Sequence, residues 1–287
     1  MFRYIVIRIH AYWSLVKSLQ TGLLIFTGLA GFMSARCPVT GWLTFLTLAG
    51  SLFLAIGGST VLNMVYDRDI DERMTRTCRR PLPAHVVKPK EGLILGIVMV
   101  TLGVGWSFWL SPLYGLLVFI GMFSNLVIYT LWLKRRTAWS FLGGGIAGAM
   151  PILAGRALGT GQVDLIGLLL AAMIMFWIPT HIVTFSIKYA ADYQRAGVPV
   201  LANIYGERTA GVVISVSSGI TALAMVLAAW FIGLGWGYFY AVLALSVILL
   251  LFAVAAMRRN SYRMNFALFK LASVYMLAVT LMMIFGL

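Results

Sequence analysis

Half of the eight acidic residues in this 287-residue chain lie within six consecutive positions, at the end of a long apolar stretch. Asn63, Asp67 and Asp71 are spaced four apart, and on a helix that spacing places the three side chains on one face. Asp69 and Glu72 fall on other faces. An amide and two carboxylates are hard oxygen ligands, which suit Mg²⁺ together with waters and substrate phosphates. The spacing therefore predicts a metal site that holds a diphosphate, with nearby arginines and lysines binding its remaining charge.

The same segment has a simpler interpretation, a solvated loop whose acids balance the arginines around it. Five arginines lie within the 13 residues from Arg68 to Arg80. A carboxylate cluster beside a bilayer is costly unless positive charge compensates it, so such a cluster favours a functional role. The regular spacing at the end of an apolar helix favours the metal site over the loop.

A second polar stretch, residues 180–201, follows a later apolar segment. Lys188 and Asp192 lie four apart in it, with Tyr189, Tyr193 and Arg195 close by. Its place after the sixth apolar segment mirrors the place of the first cluster after the second. The arrangement suggests a degenerate internal duplication, and it makes Asp192 a further candidate for chemistry.

The composition is that of a membrane protein. Hydrophobic residues make up 61% of the chain, charged residues only 10%, and the mean hydropathy is +0.95. In a soluble protein the net charge of +14 would suggest nucleic acid, but here membrane orientation explains it, so we expect no nucleic-acid partner. No cleavable signal peptide is evident in the basic, amphipathic N-terminal segment.

Nine apolar stretches are long enough to cross a bilayer, which takes about 20 residues per helix. They are residues 17–35, 41–66, 91–110, 113–133, 138–158, 164–187, 210–232, 235–256 and 265–286. With the N-terminus in the cytoplasm, cytoplasmic segments carry 19 of the 22 basic residues and outer loops carry two. We therefore predict one all-α integral membrane domain over residues 1–287, a bundle of nine transmembrane helices with its C-terminus outside. Cys37 and Cys78 then lie on opposite sides of the membrane.

Several longer motifs resemble one known family. The N-x-x-x-D-x-x-x-D run continues through MTRTCRRPLPAH (74–85), and later come YTLWLKRRT (129–137), IPTH (178–181) and KYAADYQRAGVPVL (188–201). Together they resemble the intramembrane UbiA-type prenyltransferase superfamily and, within it, the protoheme IX farnesyltransferase (haem O synthase) family. The resemblance covers nearly the whole chain from about residue 15 and includes the nine helices.

The resemblance implies an Mg²⁺-dependent enzyme of the cell membrane with its active site on the cytoplasmic side. Farnesyl diphosphate would ionise at its allylic C–O bond, and a vinyl group of haem b would attack the cation to give haem O. The lipid bilayer would be the solvent for both substrates. Transfer of the product to haem A synthase or to terminal-oxidase assembly is a further partnership that the sequence leaves open.

The resemblance also implies roles for individual residues. Asp67, Asp71, Asp192 and Lys188 would be catalytic, and Asn63 would join the three carboxylates as a metal ligand. Substrate-binding candidates are Asn63, Arg79, Arg80, Arg135, Tyr66, Tyr129, His181 and Tyr193. Among these candidates, Arg79, Arg80, Arg135 and also Lys188 would contact phosphate. Ala191 departs from the family pattern, which commonly has an acid there, so the first motif would carry most of the metal binding.

His181 has two interpretations. It would be a haem-iron ligand or orienter, or else a buried histidine bonded to backbone near Pro179.

Two alternative functions differ from this one in substrate or in protein class. An aromatic or quinone-precursor acceptor would keep the chemistry and change only the cavity. A transporter would place ionisable residues near the membrane midplane, whereas these acids lie at helix ends.

Overall fold

The computed structural model describes residues 2–36, 41–259 and 261–286, with the side chains of residues 2–5 left aside. These residues form helices and turns, with no strand among them. The predicted position of Cys37 lies outside the described residues. The helices are α1 (Phe2–Leu15), α2 (Ser18–Met33), α3 (Trp42–Tyr66), α4 (Arg68–Arg73), α5 (Pro89–Leu110), α6 (Pro112–Phe123), a π-helix (Ser124–Leu133), a 3₁₀ turn (Ala138–Ser140), α7 (Phe141–Thr160), α8 (Leu165–Lys188), α9 (Ala190–Arg195), α10 (Leu201–Ile232), α11 (Trp236–Arg259) and α12 (Tyr262–Phe285).

Eight helical segments among the described residues are long and apolar enough to cross a membrane. A ninth crossing results if α1 and α2, which meet at a 48° bend, count as one span. This architecture confirms the prediction of an all-α membrane bundle. The seventh predicted span, 210–232, lies within α10, which begins at Leu201 and is interrupted at Gly206, with a φ of 82°.

Glycines let the central helices approach closely. A Cβ on Gly155 of α7 would lie 1.9 Å from the carbonyl oxygen of Gly28 on α2. A Cβ on Gly31 would lie 2.0 Å from the carbonyl oxygen of Ile152. In lipid, helix association depends on close van der Waals packing between small residues. The close α2–α7 contact therefore requires glycine at these positions.

Polar groups concentrate at the two ends of the bundle. At the far end, Arg156 of α7 is buried and donates to both carboxylate oxygens of Asp164 and to the carbonyl and hydroxyl oxygens of Ser34. This arginine ties α2, α7 and the start of α8 together. The acidic cluster lies at the opposite end, which we call the site end, where α2 begins and α3 ends.

The fourth span changes its helical repeat before it reaches the site end. Residues 124–133 continue α6 as a π-helix. Its five-residue repeat shows in the amide of Lys134, which donates to the carbonyl of Tyr129 at 2.8 Å, and in the hydroxyl of Thr130, which donates to that of Asn125 at 2.6 Å. Residues five apart therefore share a face here, and π segments inside α-helices frequently mark functional sites.

Candidate active site

The predicted face of α3 and α4 is present. Asp67 separates the two helices, but amide hydrogen bonds of 2.9 Å join Asp67 to Asn63 and Asp71 to Asp67, so the helical path continues. Asp67 and Asp71 are 2% and 4% exposed. The side chain of Asp69 keeps 48% of its exposure. The sequence spacing thus sorts the acids correctly into two that point inward and one that points away.

Asp67 is held by groups from two neighbouring spans. Its Oδ2 accepts from the Lys134 ammonium at 2.5 Å and from the Asn63 amide at 3.0 Å. Asn63 is itself fixed by donating to the Thr130 hydroxyl at 2.8 Å. The other carboxylate oxygen, Oδ1, is buried and accepts no hydrogen bond, and the Arg135 guanidinium lies 3.9 Å from it. A buried carboxylate oxygen without a partner is rare in proteins, and it leaves a coordination position open.

Asp71 is paired within its own segment. Both of its carboxylate oxygens accept from Arg80, at 3.0 and 2.7 Å. Thr77 donates its hydroxyl to the Asp71 carbonyl at 3.1 Å and so closes the turn that carries Arg80 back over the acid. The turn before Arg80, which is the first residue of RPLP (80–83), therefore positions a guanidinium on the second carboxylate of the motif.

Asp192, from the second polar stretch, reaches the first one. It accepts from the Thr75 hydroxyl at 2.8 Å, from the Arg76 amide at 3.4 Å and from Arg195. The hydrogen bond from Thr75, with that from Arg195, lowers the pKa of Asp192 below its usual range. The neighbouring Tyr193 packs against a small apolar cluster formed by Ile70, Met74, Ala196 and Val198. The two polar stretches thus meet at the site end, as a duplicated site would require.

Two lysines of the site, Lys134 and Lys17, were not among the predicted site residues. Lys134 is bonded to Asp67 and lies 5.8 Å from the Tyr129 ring centroid, a pairing that depends on the π-helix. Lys17 lies at the bend between α1 and α2, with a left-handed φ of 48°, and interacts electrostatically with Arg80, Lys134, Asp71 and Asp67. In the sequence, Lys17 was noticed only as one of the basic residues that set the membrane orientation, and no motif marked it as a site residue.

Arg135 and Arg79, both predicted phosphate contacts, lie differently. Arg135 makes a two-pronged pair with Asp69 at 2.7 and 2.8 Å, and its guanidinium carbon lies 4.6 Å from the Tyr66 ring centroid. The bond to Arg135 lowers the pKa of Asp69. Arg79 is exposed and pairs with no acid in the described part of the chain. Arg135 stands at the edge of the site, near a cleft of about 490 Å³ lined by Pro199 and neighbouring residues.

Lys188 and His181 lie on α8, beside the cluster rather than in it. The Lys188 ammonium is 5.3 Å from the Tyr189 ring centroid, and the Arg76 guanidinium carbon is 5.1 Å from the same centroid. Lys188 forms no ion pair with Asp192, because the helix breaks at Tyr189 between them. His181 is surrounded by aromatic rings, and its Nδ1 is buried without a hydrogen-bond partner.

The residues fit a divalent cation at Asp67 and Asp71. Within the described ranges no three acidic, histidine or cysteine side chains are already gathered around one point. Asp192 is occupied by Thr75 and Arg76 instead. The unpartnered Oδ1 of Asp67 is nevertheless a hard oxygen ligand, and Asp71 follows one turn later on the same face. Asn63 donates its amide N–H to Asp67 and so orients this carboxylate.

Comparison with known proteins places this chain in a family. The chain matches the UbiA prenyltransferase family over residues 23–277. It is 45% identical over 206 residues to the protoheme IX farnesyltransferase of Pyrobaculum arsenaticum, a match that covers 71% of this chain and 73% of that protein.

Solved structures share the fold. A structure from work on digeranylgeranylglyceryl phosphate synthase in membranes superposes with a TM-score of 0.82 at 16% identity, covering 97% of this chain and 98% of that one. A UbiA homolog from Archaeoglobus fulgidus bound to GPP and Mg²⁺ superposes with a TM-score of 0.70 at 13% identity, covering 95% and 99%. The chain belongs to the UbiA prenyltransferase family and is a multi-pass membrane prenyltransferase.

Proposed function

We propose that this enzyme transfers the farnesyl group of farnesyl diphosphate to a vinyl group of haem b, giving haem O. The observation that carries the proposal is the state of the two buried acids, each neutralised by a cation of the chain while Asp67 keeps one oxygen free. The name of the Pyrobaculum relative and the GPP and Mg²⁺ bound by the Archaeoglobus homolog support the same chemistry.

Asp67 and Asp71 would hold Mg²⁺, with Asn63 in the same shell and Asp192 supporting a second ion or ordering its loop. When bound, Mg²⁺ supplies positive charge that binds the diphosphate oxygens and stabilises the leaving pyrophosphate. Lys134 and Arg80, which pair with these carboxylates, would then be able to offer their charges to the diphosphate. On this proposal the acids would exchange cations of the chain for the metal, and those cations would bind the substrate anion.

This exchange explains how the chain tolerates buried acids before substrate arrives. An unpaired buried charge is strongly destabilising, whereas each acid here has a cation within 2.7 Å. The cations are preorganised for the moment when negative charge develops on the leaving group, where fixed donors lower a barrier most. Lys17 and Arg79 add positive charge on the same side, and Arg135 would reach phosphate from the rim.

The reaction balances as a substitution followed by hydration. The allylic C–O bond breaks with its electron pair passing to pyrophosphate, and the π pair of the vinyl group forms the new carbon–carbon bond. Water adds to the cation that results and loses one proton, leaving a hydroxyethylfarnesyl side chain. Tyr66, Tyr129 and Tyr193 lie near the acids, and aromatic faces stabilise positive charge while excluding water.

We place the site end at the cytoplasmic face of the cell membrane, because basic residues concentrate in the segments assigned to that side. His181 would contact the haem, as iron ligand or orienter, from the middle of α8. Delivery of the product to haem A synthase or to oxidase assembly would follow from release within the same bilayer.

A transfer assay on purified protein tests the proposal. With Mg²⁺, farnesyl diphosphate and haem b, mass spectrometry should find a haem carrying a hydroxyethylfarnesyl group, and chelation should abolish it. Absence of that product, together with pyrophosphate release in the presence of a phenolic or quinone-type acceptor, would overturn the haem assignment and keep the diphosphate site.

A further inference from the structure

The seam between α8 and α12 carries aromatic and cationic groups that the diphosphate chemistry does not use. Trp177 of α8 donates its indole N–H to the carbonyl of Ala272 at 3.1 Å, which fixes the two helices together. Nearer the site end, the His181 ring lies 5.1 Å from both Phe185 and Phe269. These residues form a continuous aromatic wall inside the span.

Two lysines stand at the site end of this wall. The ammonium of Lys188 lies 5.6 Å from the Phe266 ring centroid, and the ammonium of Lys270 lies 5.0 Å from the same centroid. Lys270 starts one turn deeper on α12, and helix side chains lean toward the N-terminus, so its charge reaches back to the level of Phe266. Two cations from different helices are thus collected over one ring.

Neither lysine has an acidic partner in the ranges that the structure describes. Both are exposed, in contrast to Lys134, which is committed to Asp67. Like charges brought together over one ring repel unless an anion joins them. The pair therefore suits a ligand with two acidic groups at the membrane boundary and an apolar body along the aromatic wall.

His181, which lies deeper in the span than the two lysines, restricts the chemical class of the ligand further. His181 precedes Lys188 by seven residues, two turns or about 10 Å along the same face of α8. Its Nδ1 is buried without a partner. A flat apolar ring with a metal at its centre and two carboxylates on one edge matches the order of groups: imidazole inside, aromatic rings around it and cations at the boundary.

We propose that Lys188 and Lys270 recognise the two propionate carboxylates of the acceptor. This inference rests on the proposed function, and it moves Lys188 from the phosphate to the acceptor.

Haem absorption titrations in nanodiscs of zwitterionic lipid test the lysine pair. Wild-type protein should bind protohaem at least tenfold more tightly than haem dimethyl ester, because the ester removes both charge-assisted contacts. The double variant Lys188→Gln, Lys270→Gln should bind the two haems equally. The matched control is the double variant Arg258→Gln, Arg259→Gln. These exposed arginines lie at the end of α11 that faces the site end, and their replacement should leave the wild-type preference for protohaem unchanged.

The outcomes separate this inference from the proposed function. A double lysine variant that still prefers the free acid by tenfold would overturn the carboxylate contact, and so would a raised KM for farnesyl diphosphate with an unchanged KM for haem. If the lysines bind only lipid phosphate, the ratio of protohaem affinity to dimethyl ester affinity would be the same in wild type and in the double variant. That result would also overturn the carboxylate contact. Failure of wild-type protein to bind either haem would instead remove the haem acceptor itself.

Discussion

Replacing Lys134 with methionine should strengthen the binding of a divalent cation at Asp67. The Lys134 ammonium lies 2.5 Å from Asp67, whose side chain is 2% exposed, against 16% for the lysine. Removing one partner of a buried ion pair costs about 3–5 kcal/mol, because the remaining charge is left uncompensated. A divalent cation at Asp67 would supply the missing charge, so the lost pair becomes additional binding free energy for metal.

The gain should be smaller than the full cost of the pair. Asn63 still donates to Asp67, and Arg135 lies 3.9 Å from its other oxygen. If these groups recover about half of the loss, about 1.5–2.5 kcal/mol remains, which corresponds to roughly 10- to 70-fold tighter metal binding.

Electron paramagnetic resonance of free Mn²⁺ measures this affinity in the absence of diphosphate. Arg136→Gln is the control, because Arg136 is exposed and forms no ion pair within the described ranges. The same variant should bind the substrate more weakly. Lys134→Met should raise the KM for farnesyl diphosphate, because the phosphate loses a cation. Mn²⁺ affinity at or below that of wild-type protein would refute the exchange of partners.

Three further predictions concern changes at other positions of the two polar stretches and at Asp164. Asp67→Asn or Asp71→Asn should lower transfer at least 1,000-fold, about 4 kcal/mol, by removing charge from the metal site, while Asp69→Asn should cost less than tenfold; single-turnover product formation measures both. Hydrogen bonds from Arg156 lower the pKa of Asp164, so its contribution, about 1–3 kcal/mol, is present above the unfolded pKa near 4 and is lost as the pH falls through the lower folded value. Denaturant unfolding at pH 7 and pH 3 should show a smaller loss in Asp164→Asn than in wild type. Ala191→Asp should retain or raise turnover if a ligand is restored; a clear loss of activity would show that the second polar stretch is built differently.

Much of the site follows from short-range spacing. The interval of four between Asn63, Asp67 and Asp71 predicts a shared face, and the helix continues through Asp67 as that prediction requires. The apolar spans were equally predictable, because each must cover the bilayer with consecutive apolar residues. The interruption of α10 at Gly206 was not, since an isolated glycine within an apolar segment is compatible with a straight helix.

The groups that surround the acids depend on features that such spacing does not show. Lys134 reaches Asp67 from a π-helix, and an α-helical repeat would have placed it on a different face from Tyr129. Lys17 depends on a left-handed residue at a bend. The contact of Asp192 with Thr75 joins segments 117 residues apart. These arrangements arise from tertiary packing, which a local pattern in one sequence does not encode.

Phosphorus resonance with a paramagnetic metal tests the clamp at Asp67 most directly. A non-ionising farnesyl diphosphate analogue bound to the enzyme with Mn²⁺ should show strong relaxation of both phosphorus nuclei, since the metal contacts the phosphates. Asp67→Asn should lose this relaxation, while Asp69→Asn should retain it. Equal relaxation in wild type and Asp67→Asn would contradict a metal held at Asp67 and would place the diphosphate on other residues.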